Sequence, residues 1–561
     1  MQPTDKYIYE NGLTSKNKNF STNLRFNDTK DLFKFEKKKY LIHHVKKINK
    51  YILFIICFFF FLIIFNLQQI FFANNESLYS FSNSEKKERG KIFDRNGELI
   101  ATNIDTKDFY LDTRKILSKA ELKQKLQNIF PDKKENYFED IFSKKQYIKI
   151  KPYITLNEEK QLKQIGDPSI HFHKSSKRIY LQHNLFSHLT GFKSSELKSK
   201  IERNLDHYLK EGANISLTLD LRVQHKVHEE LASSLKLYNA NSAVAIIMDV
   251  NNGEIISLVS LPDFNPNHPE DIKAFSENNL AFEARYEMGS TLKIFNAALV
   301  YENNSNLENK NFIIKNGYQI TPDKLILDEH IKKDKINFKE IFSQSSNVGS
   351  INIVEDMGIK KQKELFESLD IDGQISLYGL NVVKNKLPKN WDSQASKFIS
   401  YGYGMSISPI SLVSSYAALV NGGYKIKPRV NLKENYSRKR IFKDSTSKKI
   451  NHLLNEVVKN GTGKKANVDG IKVGGKTGTS RKLEKGKYSE KKVITSFIGA
   501  FPIDQPKFIA FVLFDEPRRN ISESLVSLGG NTAAPTFSRI LKKVSPILNR
   551  NNYMKMNLEW N

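Results

Sequence analysis

From Tyr51 to Ala73 the chain reads YILFIICFFFFLIIFNLQQIFFA, 23 residues without a single charge. At about 1.5 Å per helical residue such a run covers roughly 30 Å of hydrocarbon, so it reads as a transmembrane helix. Lys37, Lys38, Lys39, Lys46, Lys47 and Lys50 crowd its N-terminal side, and no basic residue follows it until Lys86. The positive-inside rule then keeps residues 1–50 in the cytoplasm and exports everything after the span. A cleaved signal peptide is the rival reading. The preceding tail is too long for one, the apolar run exceeds a signal core, and no small-x-small site follows. Asn66, Gln68 and Gln69 suit the outer interface.

A chain of 561 residues is too long for one core, so two or more folded units are expected beyond the span. The formal charge of +27 raises the question of nucleic acid. Lysines are scattered through every segment, however, with no basic block interleaved with aromatics and no zinc-finger spacing, which argues for a solvated surface. The single cysteine, Cys57, lies inside the apolar run and excludes a disulfide framework within the chain. His43, His44, His171 and His173 lack neighbouring ligands and read as ordinary surface or interface histidines, with no metal site.

Residues 1–50 form a polar tail, 51–73 the span and 74–87 a linker. A smaller module is expected over 88–214. It opens on RGKIFDRNGELIATN, where Asn96-Gly97 predicts a strand, a tight turn and a strand. Within it, Lys115 to Lys151 reads as irregularly helical, and Ser194 to Leu209 as a helix. From Ile215 the strand-like ISLTLDLRV leads into an amphipathic helix, QHKVHEELASSLKLY. SAVAIIMDV and EIISLVSL form an apolar hairpin, and Ser290 to Glu302 has a helical pattern. Strands follow near 494–503 and 507–516, then a helix from Ala533 to Val544. Strands at both ends with helices between predict an α/β (α+β) domain over 215–549 whose N- and C-terminal strands share one sheet. Residues 550–561 form a C-terminal tail.

Gly470 to Thr477, GIKVGGKT, satisfies a phosphate-binding loop pattern, and Phe508 to Glu516 resembles its acidic partner strand. That mechanism needs a helix beginning at Lys476-Thr477 to hold phosphate on its N-terminus. Gly478 and Gly486 interrupt a stretch with almost no apolar face, so an ATPase is set aside.

Three short motifs occur in order within the exported part: Ser290-x-x-Lys293, Ser345-x-Asn347 and Lys476-Thr477-Gly478. Ser345 follows Ser290 by 55 residues and Lys476 follows Ser345 by 131. A serine hydroxyl needs a base within reach, and Ser at i with Lys at i+3 share a helix face. Burial beside a second cation such as Lys476 would lower the pKa of Lys293 enough for that role. Ser345 offers a proton relay and Asn347 an amide for a peptide group. The third motif offers a cation and a hydroxyl to a carboxylate, and Gly478 lets a ligand lie against the strand. Each motif alone has a bland reading as a helix face, a cap or a turn. Together they are the triplet of penicillin-binding proteins and class A β-lactamases.

From about Arg89 onward the chain resembles class B penicillin-binding proteins, most closely the septal, FtsI-like branch. RGKIFDRNG, IERNLDHYL, GEIISLVSLPDFNPN, YEMGSTLK, SQSSNVGS, YGYGMSISPISL, KNGTGKKANV, GGKTGTS and GGNTAAPTFSRI carry the resemblance. Met288, Ser480 and Leu181 depart from its usual residues without removing a catalytic group. The resemblance implies a transpeptidase domain with the serine β-lactamase-like fold, preceded by a pedestal (dimerisation-type) module and a single N-terminal anchor in the bacterial inner membrane. It implies a D,D-transpeptidase that joins a D-Ala-D-Ala stem-peptide donor to an amine acceptor at the division site, with β-lactams as inhibitors and no cofactor. Ser290 would be the nucleophile and Lys293 the base. Ser345 and Asn347 would form the proton network. Lys476, Thr477 and Thr479 would bind the terminal carboxylate, and the N–H groups of Ser290 and Thr479 would form the oxyanion hole. An FtsW-type glycan polymerase and other divisome membrane proteins would be partners, and nucleic acid would not. The rivals are a cell-elongation transpeptidase, a β-lactam hydrolase or carboxypeptidase, and an idle scaffold or β-lactam sensor.

Overall fold

A computed structural model of the chain describes residues 50, 52–68 and 87–558, apart from 135, 193–199, 274–275, 329, 485 and 519–526. Residues 1–49 of the expected tail at 1–50, with His43 and His44, and most of the expected linker lie outside the described residues. The chain divides into two compact units, residues 1–86 and 87–561. In the first, residues 52–68 are helical with exposed side chains, a length of about 25 Å. Among the described residues no helix is long and apolar enough to cross a membrane.

The N-terminal part of the second unit is built on a mixed sheet. Strands β1 (Ile92–Phe93) and β2 (Leu99–Asp112) are joined by the Asn96-Gly97 turn, where Gly97 adopts φ +88°. After helices α1 (Lys119–Ile129) and α2 (Tyr137–Phe142), strand β3 (Tyr147–Ile154) pairs with β2 on one side. Helix α3 (Leu156–Ile165) then leads to β4 (Ile170–Tyr180), which pairs with β2 on the other side. The irregular helix expected over Lys115 to Lys151 is thus two helices and the start of a strand. The period-two pattern of YIKIKPYI, which buries Ile150 and Ile154, is what the charge content hid. Phe109, Leu111, Leu122, Leu126, Phe130, Phe138 and Leu162 close a local core between the sheet and these helices.

The helix expected from Ser194 to Leu209 begins outside the described residues. The rest of it is two short pieces, Ile201–Asn204 and Asp206–Lys210, parted at Leu205, whose φ of −113° and ψ of 22° are not helical. The strand expected over ISLTLDLRV shrinks to β5 (Ile215–Ser216), which lies parallel to β1. Asp220 ends it early because its side chain accepts from the Arg222 N–H and caps α4 (Leu221–Leu237).

The central sheet has the order β10-β11-β12-β6-β7, made from β6 (Ser242–Asp249), β7 (Ile255–Leu261), β10 (Gly474–Glu484), β11 (Lys487–Phe501) and β12 (Phe508–Asp515). N- and C-terminal strands therefore do share one sheet, through β6 paired antiparallel with β12. Both faces of β6 are covered. Ala243, Ala245 and Ile247 meet α4 and the C-terminal helix α8 (Ala533–Leu558), while Val244, Ile246 and Met248 meet the larger helical core. Helix α8 outruns the Val544 expected as its end. The larger core is continuous from Ile92 and Ile100 to α5 (Lys293–Glu302), so the base of the N-terminal sheet and α5 share one apolar interior. Between α5 and α6 (Asn347–Met357) lies a small hairpin, β8 (Tyr318–Thr321) with β9 (Lys324–Ile326). Helix α7 (Asp444–Asn460) packs behind β10, the edge strand of the central sheet.

Candidate active site

Ser290 sits in a 3-10 turn, Gly289–Leu292, that runs directly into α5. The turn is held on three sides: the Gly289 N–H donates to Gly402 O at 3.1 Å, Thr291 Oγ1 to Met288 O at 2.9 Å, and the Tyr416 hydroxyl to Thr291 O. Gly289 has φ +54°, and a Cβ there would lie 2.5 Å from Thr479 O. A Cβ at Gly478 would lie 2.8 Å from Met288 O. Glycine at both positions lets the serine turn and strand β10 approach backbone to backbone.

Lys293, the first residue of α5, is fully buried. Its Nζ donates to Ser345 O, to Asn347 Oδ1 at 2.7 Å and lies 3.3 Å from Ser345 Oγ. Lys476, also fully buried, reaches the same Ser345 Oγ at 2.9 Å from β10, and Thr477 O at 3.2 Å. The structure thus brings Lys293, Ser345, Asn347 and Lys476 together beside the Ser290 turn. Burial pushes the Lys293 amine down to about 7, against an opposing pull from the Asp328 carboxylate. Lys476 is pushed well below its ordinary range, by burial first and by Lys293 second. The neighbouring cation expected to depress Lys293 acts on Lys476 instead, and at Lys293 desolvation is the cause.

A neutral Lys293 has two N–H bonds and one lone pair. Two good acceptors, Ser345 O and Asn347 Oδ1, take the hydrogens and leave the lone pair for a hydroxyl. Ser345 itself has φ +63°, a left-handed conformation that turns both its carbonyl and its hydroxyl toward Lys293. That strain is held by Asp328, a buried carboxylate outside all three motifs. Its oxygens accept from Ser346 Oγ at 2.5 Å, Asn347 N at 2.7 Å and Val348 N at 3.2 Å, at the N-terminus of α6. No sequence pattern marks an aspartate 17 residues before Ser345. Only the preference of helix starts for carboxylates could have pointed to it.

Thr477 is turned inward, 2.9 Å from the hydroxyl of Thr462, a second residue that the motifs do not include. Thr479 Oγ1 accepts from the Gly529 N–H at 3.0 Å, which fixes the strand's outer edge. The run Gly470 to Thr477 enters strand β10 and not a helix. His171 and His173 lie on β4 against Tyr147 and Tyr110, away from this cluster.

Comparison with known proteins groups the same segments. The family model for the penicillin-binding protein transpeptidase domain matches residues 243–542, which include all three motifs. The chain belongs to the penicillin-binding protein transpeptidase family. A second family model, the penicillin-binding protein dimerisation domain, matches residues 84–216. Among similar curated proteins, the probable peptidoglycan D,D-transpeptidase FtsI of Caulobacter vibrioides is 28% identical, over 82% of this chain and 81% of its own. The stage V sporulation protein D of Bacillus subtilis is 27% identical over 92% and 88%, and the FtsI of Buchnera aphidicola is 27% identical over 83% and 88%.

Proposed function

We propose that this penicillin-binding protein is a peptidoglycan D,D-transpeptidase of septal wall synthesis, working through an acyl-serine intermediate and inhibited by β-lactams. The observation that carries the reading is the meeting of Lys293 and Lys476 on one hydroxyl, Ser345, beside the Ser290 turn. The base is Lys293, neutral near pH 7. It takes the Ser290 proton as the oxygen attacks the penultimate D-alanyl carbonyl of a donor stem. The N–H groups of Ser290 and Thr479 receive the developing oxyanion, a pair whose loss costs about two to three decades in rate. Ser345 passes the proton on to the leaving D-alanine nitrogen, and Asn347 orients both Lys293 and the donor's peptide group. Lys476, Thr477 and Thr479 hold the terminal carboxylate, with Gly478 giving it room. An acceptor amine then attacks the ester, forms the cross-link and restores Ser290. The chemistry needs no metal or organic cofactor.

Residues 88–214 serve in this reading as the pedestal and 215–549 as the transpeptidase domain. The apolar run 51–73 anchors the chain in the inner membrane with its N-terminus in the cytoplasm. An FtsW-type polymerase and other divisome proteins are the partners. The resemblance to the septal branch and the names of the Caulobacter and Buchnera relatives support that placement.

Fluorescent penicillin should label the full chain at one site, and Ser290→Ala should abolish labelling. Equal labelling of Ser290→Ala would end the enzyme reading. A tagged copy should gather at midcell, whereas sidewall signal would move the assignment to the elongation branch.

A further inference from the structure

Beside Ser480 and Arg481, further along β10 than Lys476, aromatic and acidic side chains gather. Tyr401, Tyr403 and Tyr488 form an aromatic wall, with Tyr403 and Tyr488 edge to face at 5.1 Å and Tyr401 and Tyr403 at 5.5 Å. Glu287, three residues before Ser290, sits against it. One of its oxygens, Oε1, accepts from the Gly404 N–H at 2.8 Å and the Tyr488 hydroxyl at 3.0 Å. No described residue donates to the other oxygen. The wall is fastened to the reaction centre on both sides, since the Glu287 carbonyl accepts from Ser480 Oγ and the Tyr403 hydroxyl from the Arg481 N–H. A cation already stands here. Lys324, on the β8–β9 hairpin, holds its Nζ 4.8 Å from the centre of the Phe398 ring and 5.5 Å from that of Tyr488.

We infer that Glu287, Tyr488 and Phe398 form a subsite for a primary ammonium, that of the incoming acceptor stem, and that Lys324 occupies it until the acceptor arrives. The inference rests on the transpeptidase reading. A carboxylate beside aromatic faces is the arrangement that binds alkylammonium groups. It has the wrong sign for the donor's terminal carboxylate, which belongs with Lys476 at the other end of β10. The two substrates are thereby sorted by charge. Burial also pushes the Glu287 carboxyl upward, so it accepts a proton more readily than an exposed glutamate does. The balance is then complete. The ammonium gives one proton to Glu287, and the neutral amine forms the C–N bond as the C–O bond to Ser290 breaks. A second proton passes from nitrogen through Lys293 to the Ser290 oxygen. Lys324 also lies four residues before Asp328, which shapes the Ser345 turn, so hairpin and catalytic turn share one segment.

The test uses the full-length chain, a D-Ala-D-Ala-ended donor and a panel of acceptors: peptides whose only free amine is on lysine, ornithine or diaminopimelate, each beside its N-acetylated form. Aminolysis is read against hydrolysis, and β-lactam acylation is read in parallel. For Glu287→Gln, the acceptor concentration giving half-maximal aminolysis should rise at least tenfold more than β-lactam acylation falls. For Lys324→Gln it should fall several-fold, with the thermal midpoint confirming the fold. Parallel loss of both readouts in Glu287→Gln, or an unchanged or higher half-maximal concentration in Lys324→Gln, overturns the subsite. So does a wild-type chain that no amine in the panel accelerates. In each case penicillin labelling of Ser290 would leave the transpeptidase reading standing.

Discussion

Around Glu202 the chain buries two guanidiniums against a carboxylate; around Ser345 it buries two amines against each other. In the first region Arg89 reaches Glu202 through Nε at 3.1 Å and through Nη2, Arg178 Nε reaches Glu202 at 2.7 Å, and Arg89 Nη1 reaches Asp206 at 2.6 Å. Burial alone would lower the Arg89 guanidinium, and the carboxylates more than restore it, so its charge is held. In the second region neither Lys293 nor Lys476 bonds to a carboxylate among the described residues, and both are driven toward the neutral form. Burial depresses the cation in both places; at Arg89 the carboxylates bonded to it reverse that, while at Lys293 the pull of Asp328, which does not bond to it, is too weak to do so. The paired cluster ties the segment before β1, and β4, to the short helix Ile201–Asn204 and acts on stability. The unpaired cluster gives stability away and leaves an amine that is half neutral near pH 7.

The largest effect that would break this contrast is at the lysine. Lys293→Met keeps the volume and removes the proposed base, so acylation of Ser290 should fall by about two to four decades. The thermal midpoint should hold or rise, because a desolvated amine is exchanged for an apolar group. Stopped-flow acylation and a melting curve on one sample decide it. A lost midpoint would make Lys293 a structural residue like those around Glu202.

The converse holds for the paired cluster. Glu202→Ala leaves Arg89 and Arg178 buried without their shared partner, and breaking a buried pair this way costs about 3–5 kcal/mol. The midpoint should drop by several degrees or more, while acylation measured well below the transition keeps its rate. Slowed acylation in a fully folded sample would mean that the two clusters are coupled through the common core.

Of the two clusters, only the one around Ser345 was marked in the sequence. The three motifs stand out because an acyl-serine mechanism restricts which residue types can serve as nucleophile, base and carboxylate-binding cation. The shared sheet follows from apolar strands near each end of the domain. Arg89 and Glu202 belong to stretches that carry the family resemblance, but their pairing spans 113 residues and leaves no local period. Asp328 escaped for the same reason, since its partners are backbone N–H groups that any residue supplies. The strand β3 was masked by lysines whose stems line a sheet while their charges stay in water. The sequence reading paired burial with a second cation as the cause of a depressed Lys293; burial acts there and the cation does not, because spacing shows which cations can meet but not how much water they lose.

The finest test concerns that cause. With desolvation setting Lys293 near 7, acylation should fall about tenfold for each pH unit below that value and level off above it. The sign follows from the base being active only when neutral, which it is above its own pKa. Asp328 opposes the shift, since its negative charge favours the ammonium form. Asp328→Asn should therefore move the inflection to lower pH, and any loss in plateau rate would report separately on the Ser345 turn. The rate constants would be taken with a penicillin that does not ionise between about pH 5 and 9, the range in which a lysine so displaced titrates. If the inflection stays at its wild-type pH in Asp328→Asn, that carboxylate exerts no field on the base. The lysine pair would then be set by burial alone, which is the sharpest form of its difference from the cluster around Glu202.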